Sequence, residues 1–279
     1  MSGFWSRYAR NKGAVIGLAV LLVVIAVALI GPFFYATGPW DLAGAPFRRP
    51  GGAEFPLGTD MLGRDVLSGI VHGARVSLLV GVVSTVVALS IGIVLGALAG
   101  FHGGWIDDAL MRFTELFQTI PSFVFAVVLV AILQPGLSSI VIAIAVVSWP
   151  PVARLVRGEF LTLRSREFVQ AAVVIGQSTA RIIFSQILPN ALSPIIVTAS
   201  LMIASAILLE SALSFLGLGD PNLMSWGFMI GASRTVIRQA WWMSTFPGIA
   251  IFLTVLALNL VGEGLNDALN PRLSRKGRA

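Results

Sequence analysis

The residues able to do chemistry crowd into one stretch. Between Arg154 and Asn190 stand five arginines, at 154, 157, 164, 166 and 181, against two glutamates, Glu159 and Glu167. Such a segment offers charge and hydrogen bonding, suited to gripping a soluble partner, rather than nucleophilic or metal chemistry. Elsewhere ionisable side chains are sparse. Glu210 lies inside an apolar run, where an acid is costly and a functional candidate by default. Arg64 and Asp65 precede another such run and could serve an outer gate. Asn259, Glu263 and Asp267 form a polar stripe, four residues apart, near the end. His72 and His102 are too few for a metal centre without several carboxylates beside them; they read as ordinary loop residues, and no metal site is expected. There is no cysteine, which excludes disulfides and thiolate ligands. No G-x-x-x-x-G-K-[ST] occurs, so the chain cannot cradle nucleotide phosphates in that way.

What must position these groups is lipid-embedded helix. The 279 residues are 56% hydrophobic and 11% charged, where a soluble domain carries about 25% charged residues. The net charge of +6 fits the enrichment of Lys and Arg in cytoplasmic loops better than nucleic-acid binding. The pattern predicts an all-α, polytopic membrane bundle with six spans, at 14–34, 76–99, 120–133, 137–152, 191–215 and 246–260. About 20 apolar residues cross the bilayer core, and the first run is too long for a cleaved signal peptide. The third span is short but extends backwards through Phe113, Leu116 and Phe117, with Pro121 as a start or kink. Pro150-Pro151 is expected to end the fourth. Thr59 is expected to cap an interfacial helix carrying Leu62, Val66 and Ile70. Ser84, Ala88, Gly92, Gly96 and Gly100 line one face of the second span, which lets a neighbouring helix approach closely. Trp149, Trp241 and Trp242 read as interfacial belt residues.

Six spans put both termini in the cytoplasm, and 13 of the 19 Lys/Arg then fall inside. Arg48, Arg49, Arg64 and Arg75 run against the trend, accompanied by Asp41, Glu54, Asp60 and Asp65. Within the basic stretch, Phe168, Ala171, Ala172 and Ile175 recur at helical spacing. Gly176 sits where a left-handed C-cap belongs. Ser178 then starts a second short helix through Ile182, Ile183 and Ile187, which Pro189 should terminate. The expected result is a compact, protruding pair of helices hinged at a glycine.

The spacing of Gln170-Ala171-Ala172, Gly176 and Leu188-Pro189 resembles the EAA loop of permease subunits of bacterial ATP-driven importers. Gln170 replaces the usual Glu, Gln186 stands where Ile is common, and Glu167 supplies an acid just upstream. The blocks 56–60, 62–66, 73–78, 211–219, 225–227, 259–267 and 270–273 are similar to the C-type permeases of dipeptide, oligopeptide and nickel importers. That resemblance implies a type I ABC importer permease fold. Residues 1–75 would form a tail, first span and outer loop, and residues 76–279 a permease core with coupling loop 154–190. It also implies a homologous B-type permease, two ATPase subunits carrying the ATP and Mg, and an extracytoplasmic substrate-binding protein. The chain itself would be non-catalytic, bind no cofactor and reside in the bacterial inner membrane. Carried over onto this sequence, the ATPase-coupling positions are Glu167, Gln170, Ala171, Ala172, Gly176, Leu188 and Pro189. An ion-gradient-driven secondary transporter is the alternative; it predicts internal repeats and charged or broken helices at mid-membrane, of which only Glu210 is visible. A membrane enzyme lacks any supporting constellation. The cargo is not legible in the residues.

Overall fold

Small residues decide where the bundle closes. The computed structural model describes residues 4–35 and 37–269. Among them the regular elements are helices: α1 (Phe4–Tyr8), α2 (Lys12–Phe34), α3 (Val66–His102), α4 (Gly104–Gln118), α5 (Ser122–Leu133), α6 (Leu137–Arg164), α7 (Glu167–Val174), α8 (Thr179–Arg181), a π-helical segment (Ile182–Ile187), α9 (Leu188–Phe215), α10 (Trp226–Ser233) and α11 (Trp242–Leu269). Five continuous helices are long and apolar enough to cross a membrane: α2, α3, α6, the run Thr179–Phe215 and α11. The pair α4/α5 meets that test only when taken together and is bent by 79°; counted as one broken span, it brings the number to six.

The expected small face of α3 is the centre of the molecule. Ser84, Ala88, Gly92, Gly96 and Gly100 are all buried, and α6 lies along them. A Cβ on Gly92 would stand 2.5 Å from that of Val152, and one on Gly100 would stand 2.7 Å from the Arg157 carbonyl oxygen. Backbones this close gain dispersion contacts, which hold helices together where lipid removes the hydrophobic drive between them. A second seam joins α2 to α11, where a Cβ on Gly17 would meet the Ala257 carbonyl at 2.9 Å. It is fastened at one end by Asn11, whose side chain donates to Asp267 at 2.9 Å and accepts from the Ala14 amide.

Several expectations need correction. No separate interfacial helix precedes the second span: α3 begins at Val66 and runs 37 residues, with Asp65 rather than Thr59 as its N-cap. Thr59 is buried in the preceding loop, donating to the Ala45 carbonyl at 2.7 Å and accepting from the Arg48 amide at 2.9 Å. Pro150-Pro151 does not end the fourth span, because α6 continues to Arg164; packing on α3 from Trp149 to Phe160 holds the helix through the prolines. Pro189 does not end a short helix either. It occupies the first turn of α9, where its missing N–H costs little, so the second short helix is the root of the fifth span. The third span does not extend straight back, since the chain bends at Pro121. Trp149 and Trp242 are buried: Trp149 packs on Phe117 at 5.1 Å, and Trp242 donates to the Thr59 carbonyl at 3.0 Å. Both histidines are helical, on α3. Residues 270–273 and the basic tail of Arg272, Arg275, Lys276 and Arg278 lie outside the described residues.

Candidate functional site

Helix α7 is built by its own sequence. Glu167 opens it, placing a negative charge where the helix dipole favours one, and Val169 and Ala172 turn into the bundle. Its end is a full Schellman motif: Gly176 N–H donates to Val173 and Gln177 N–H donates to Ala172, at 2.9 and 3.0 Å. Gly176 sits at φ +78°, in the left-handed region that costs other residues about 1–2 kcal/mol. No atom lies within 4 Å of where its Cβ would be, so the requirement is conformational and not steric. Ser178 stands at the next N-cap position, but its side chain makes no capping bond.

The proposed coupling residues split into two sets. Ala172 and Leu188 face inward, in a cluster with Phe160, Val169, Ile182 and Ile187. Glu167, Ala171, Gly176 and Pro189 are exposed, as is Gln170, whose amide reaches the Ser165 carbonyl at 3.4 Å. Sequence reasoning missed the crest between them: Val174 is 85% and Ile175 73% exposed, at the tip of the hairpin, and Phe184 is 67% exposed beside its root. Large apolar side chains standing free at the hairpin tip, Val174 and Ile175, make it a candidate interaction surface. The signal available beforehand was the run Val173-Val174-Ile175, too apolar for a helix read as solvated.

A strut ties this region to the bundle. Arg157 of α6 grips Asp107 of α4 with two hydrogen bonds, of 2.5 and 2.6 Å, a bidentate arrangement among the stronger polar contacts. Above it, between the α4/α5 bend, α6 and α9, opens a cavity of about 580 Å³. Gln118, Ser122, Ser148, Thr198 and Ser205 provide its polar groups and Met202 and Phe117 its apolar ones, with no charged side chain in the lining. Pro151 stands in this wall without an N–H to give to Val147. None of the polar lining residues was singled out in the sequence, because hydroxyls on apolar helices read as packing.

The expected path or gate residues lie elsewhere. Glu210 is 2% exposed and accepts from Ser214 at 2.9 Å and Ser225 at 2.7 Å, with Ser211 at 3.4 Å. Ser225 also caps α10 by accepting from Phe228 N–H. The carboxyl thus fastens α10 to α9, outside the cavity. Arg64 pairs with Asp60 at 3.6 Å and lies 4.8 Å over the Trp40 ring. Asp65 caps α3 through the Leu67 amide at 2.9 Å and accepts from the Tyr35 hydroxyl. Burial first, then that bond and the charge of Asp65, push the Tyr35 phenol up to about 12.

Comparison with known proteins matches this architecture. Residues 92–275 fit the family described as binding-protein-dependent transport system inner membrane component. Residues 1–49 fit the N-terminal TM domain of oligopeptide transport permease C. The chain is 45% identical over 277 residues to the di/tripeptide transport system permease protein DppC of Pseudomonas aeruginosa (strain UCBPP-PA14), covering 97% of this chain and 91% of that protein. It is 40% identical over 273 residues to the dipeptide transport system permease protein DppC of Bacillus subtilis (strain 168), covering 97% and 85%. A chain of the inward-facing MetNI methionine ABC transporter superposes with a TM-score of 0.62 at 16% identity, over 72% of this chain and 96% of that one. At that identity the likeness speaks to the fold alone; the family match is what stands against an ion-gradient-driven carrier. With near-full-length relatives at 40–45% identity and a family match over residues 92–275, the chain belongs to the binding-protein-dependent transport system inner membrane components.

Proposed function

We propose that this importer permease carries small peptides across the bacterial inner membrane and receives its power through residues 154–190. The observation that carries the reading is the exposed crest of Val174 and Ile175, held out by the left-handed turn at Gly176 beneath a cavity lined without charge. A neutral lining of hydroxyl, amide and thioether groups can solvate peptide backbone without selecting side-chain charge. Each permease supplies part of the path, and a homologous B-type permease completes it. Two ATPase subunits bind ATP and Mg and dock on α7. An extracytoplasmic binding protein delivers cargo to the α10 end. Both termini are then cytoplasmic, and the chain itself is non-catalytic.

Proteoliposomes holding the assembled transporter test this reading. Dipeptide should accumulate only with ATP and binding protein. Gly176→Val should leave the permease inserted and the ATPases active while uptake falls by about tenfold or more, since its turn costs an L side chain ~1–2 kcal/mol. Uptake at the normal rate in the variant, or uptake on a proton gradient alone, would contradict the proposal.

A further inference from the structure

A second cavity, of about 390 Å³, lies between α3, Phe160 of α6 and the run from Thr179 to Leu188. Ile93, Ala97 and Leu98 of α3 form one wall, and Ala180, Ile183 and Phe184 form the other. Its surface carries no polar contribution, yet its mouth is cationic. His102 closes the end of α3 within the lining, and Arg164 Nη1 donates to the His102 carbonyl at 3.4 Å. That contact covers the helix C-terminus, whose partial negative charge otherwise disfavours an anion. Arg181 follows Ala180 directly. Among the described residues neither Arg164 nor Arg181 has an acid within ion-pair distance; of the three acids on α4, Asp107 is engaged by Arg157, and Asp108 and Glu115 form no ion pair. The groove runs from Ile93 to His102 along α3, roughly 14 Å at 1.5 Å per residue. One leaflet of hydrocarbon is about 15 Å deep.

We propose that this groove binds one anionic glycerophospholipid, with an acyl chain between α3 and the π-helical segment and the phosphate at the His102 mouth among Arg164 and Arg181. Depth, an entirely apolar wall and unpaired cations at one end together fit that occupant. A π-helical segment in a spanning helix is a frequent mark of a functional site, and here it forms the second wall. The lipid bridges the rigid α3 to the root of the α7 hairpin, so it belongs to the working parts of the membrane domain. This rests on the chain's membrane insertion, not on the peptide or coupling assignment.

The test is native mass spectrometry of the full-length chain, purified with the subunits that accompany it and exchanged into phosphatidylglycerol or phosphatidylcholine. One phosphatidylglycerol should be retained with about tenfold or greater preference over phosphatidylcholine, since basic side chains at the membrane surface favour anionic lipid. The double substitution Arg164→Gln, Arg181→Gln should bring the preference towards one, and Ala180→Trp should fill the groove and abolish the retained lipid. A photoreactive benzoylphenylalanine at exposed Phe184, in the otherwise unaltered complex, should label phospholipid. Equal retention of the two lipids by the unaltered chain, undiminished lipid in Ala180→Trp, or photolabelling of a protein subunit alone would each overturn the proposal.

Discussion

The α3–α6 seam and the α7 hairpin are made from the same apolar vocabulary and put it to opposite use. In the seam, Gly92, Gly96 and Gly100 draw two helices so close that Val152 and Val156 have no free side. In the hairpin, Val174 and Ile175 have almost nothing against them. Glycine also changes meaning between the two regions. At 92, 96 and 100 it is needed because there is no room for a side chain; at 176 room is ample and only the backbone angle demands it. On the proposed reading, the contrast separates the part of the chain that holds its shape alone from the part that awaits a partner.

The hardest way to break this contrast is to fill the seam. Gly96→Leu places a branched side chain against the Ala153 backbone, and overpacking typically costs about 1–3 kcal/mol, occasionally more. Backbone cannot yield as a side-chain tip can, so folded, monodisperse permease should fall below detection by size-exclusion chromatography, whereas Gly176→Val should elute normally. Equal yields of the two variants would erase the distinction.

The strut between the regions comes next. Asp107→Asn removes the charge from the bidentate pair with Arg157, and hydrogen bonds to charged groups contribute about 1.5–3 kcal/mol. The pair is part-exposed, with Arg157 35% and Asp107 11% accessible, so the lower end of that range applies. A drop in the thermal midpoint of a few degrees, with transport reduced but not lost, is the expected outcome; transport as low as in Gly176→Val would make the strut part of the coupling hairpin.

Much of this arrangement was legible in the residues and some was not. Helical class, the spans, the small face of α3 and the cap at Gly176 all follow from local rules of spacing and backbone preference. The ends of the elements did not, because tertiary packing overrode local signals. Pro150-Pro151 and Pro189 read as breaks, yet the seam carries α6 through the first and the first turn of α9 accommodates the second. Trp149 and Trp242 read as belt residues because a sequence shows an aromatic near a helix end, not the depth at which it packs. Glu210 read as a path candidate because its three serine partners come from positions one to fifteen residues away. The cavity escaped notice for the same reason, being assembled from four segments with no shared motif.

The smallest predicted effect sharpens the contrast from outside both regions. Tyr35 and Tyr8 are the only tyrosines, and both phenols are raised, Tyr35 to about 12 by burial and by Asp65 and Tyr8 by burial. A raised acid is favoured in its neutral form by folding. This contribution is therefore complete below the ordinary value of 10.0 and is lost as pH rises through about 12. Ultraviolet titration of the folded protein should show less than half of the tyrosine ionised at pH 10, with the Tyr35 component titrating near 12, and Asp65→Asn should move that component down. Half-ionised tyrosines at pH 10 would show that the Tyr35–Asp65 contact does not persist.

The most direct test uses the absence of cysteine in the chain. Val174→Cys places a single thiol on the hairpin crest, and a short homobifunctional maleimide can join it to a cysteine introduced on the ATPase surface of the assembled transporter. The account predicts a cross-linked permease–ATPase product in inverted membrane vesicles and protection of the thiol from soluble maleimide by the bound ATPase. A thiol labelled from the extracytoplasmic side of intact cells, or one equally reactive with and without the ATPase, would contradict it.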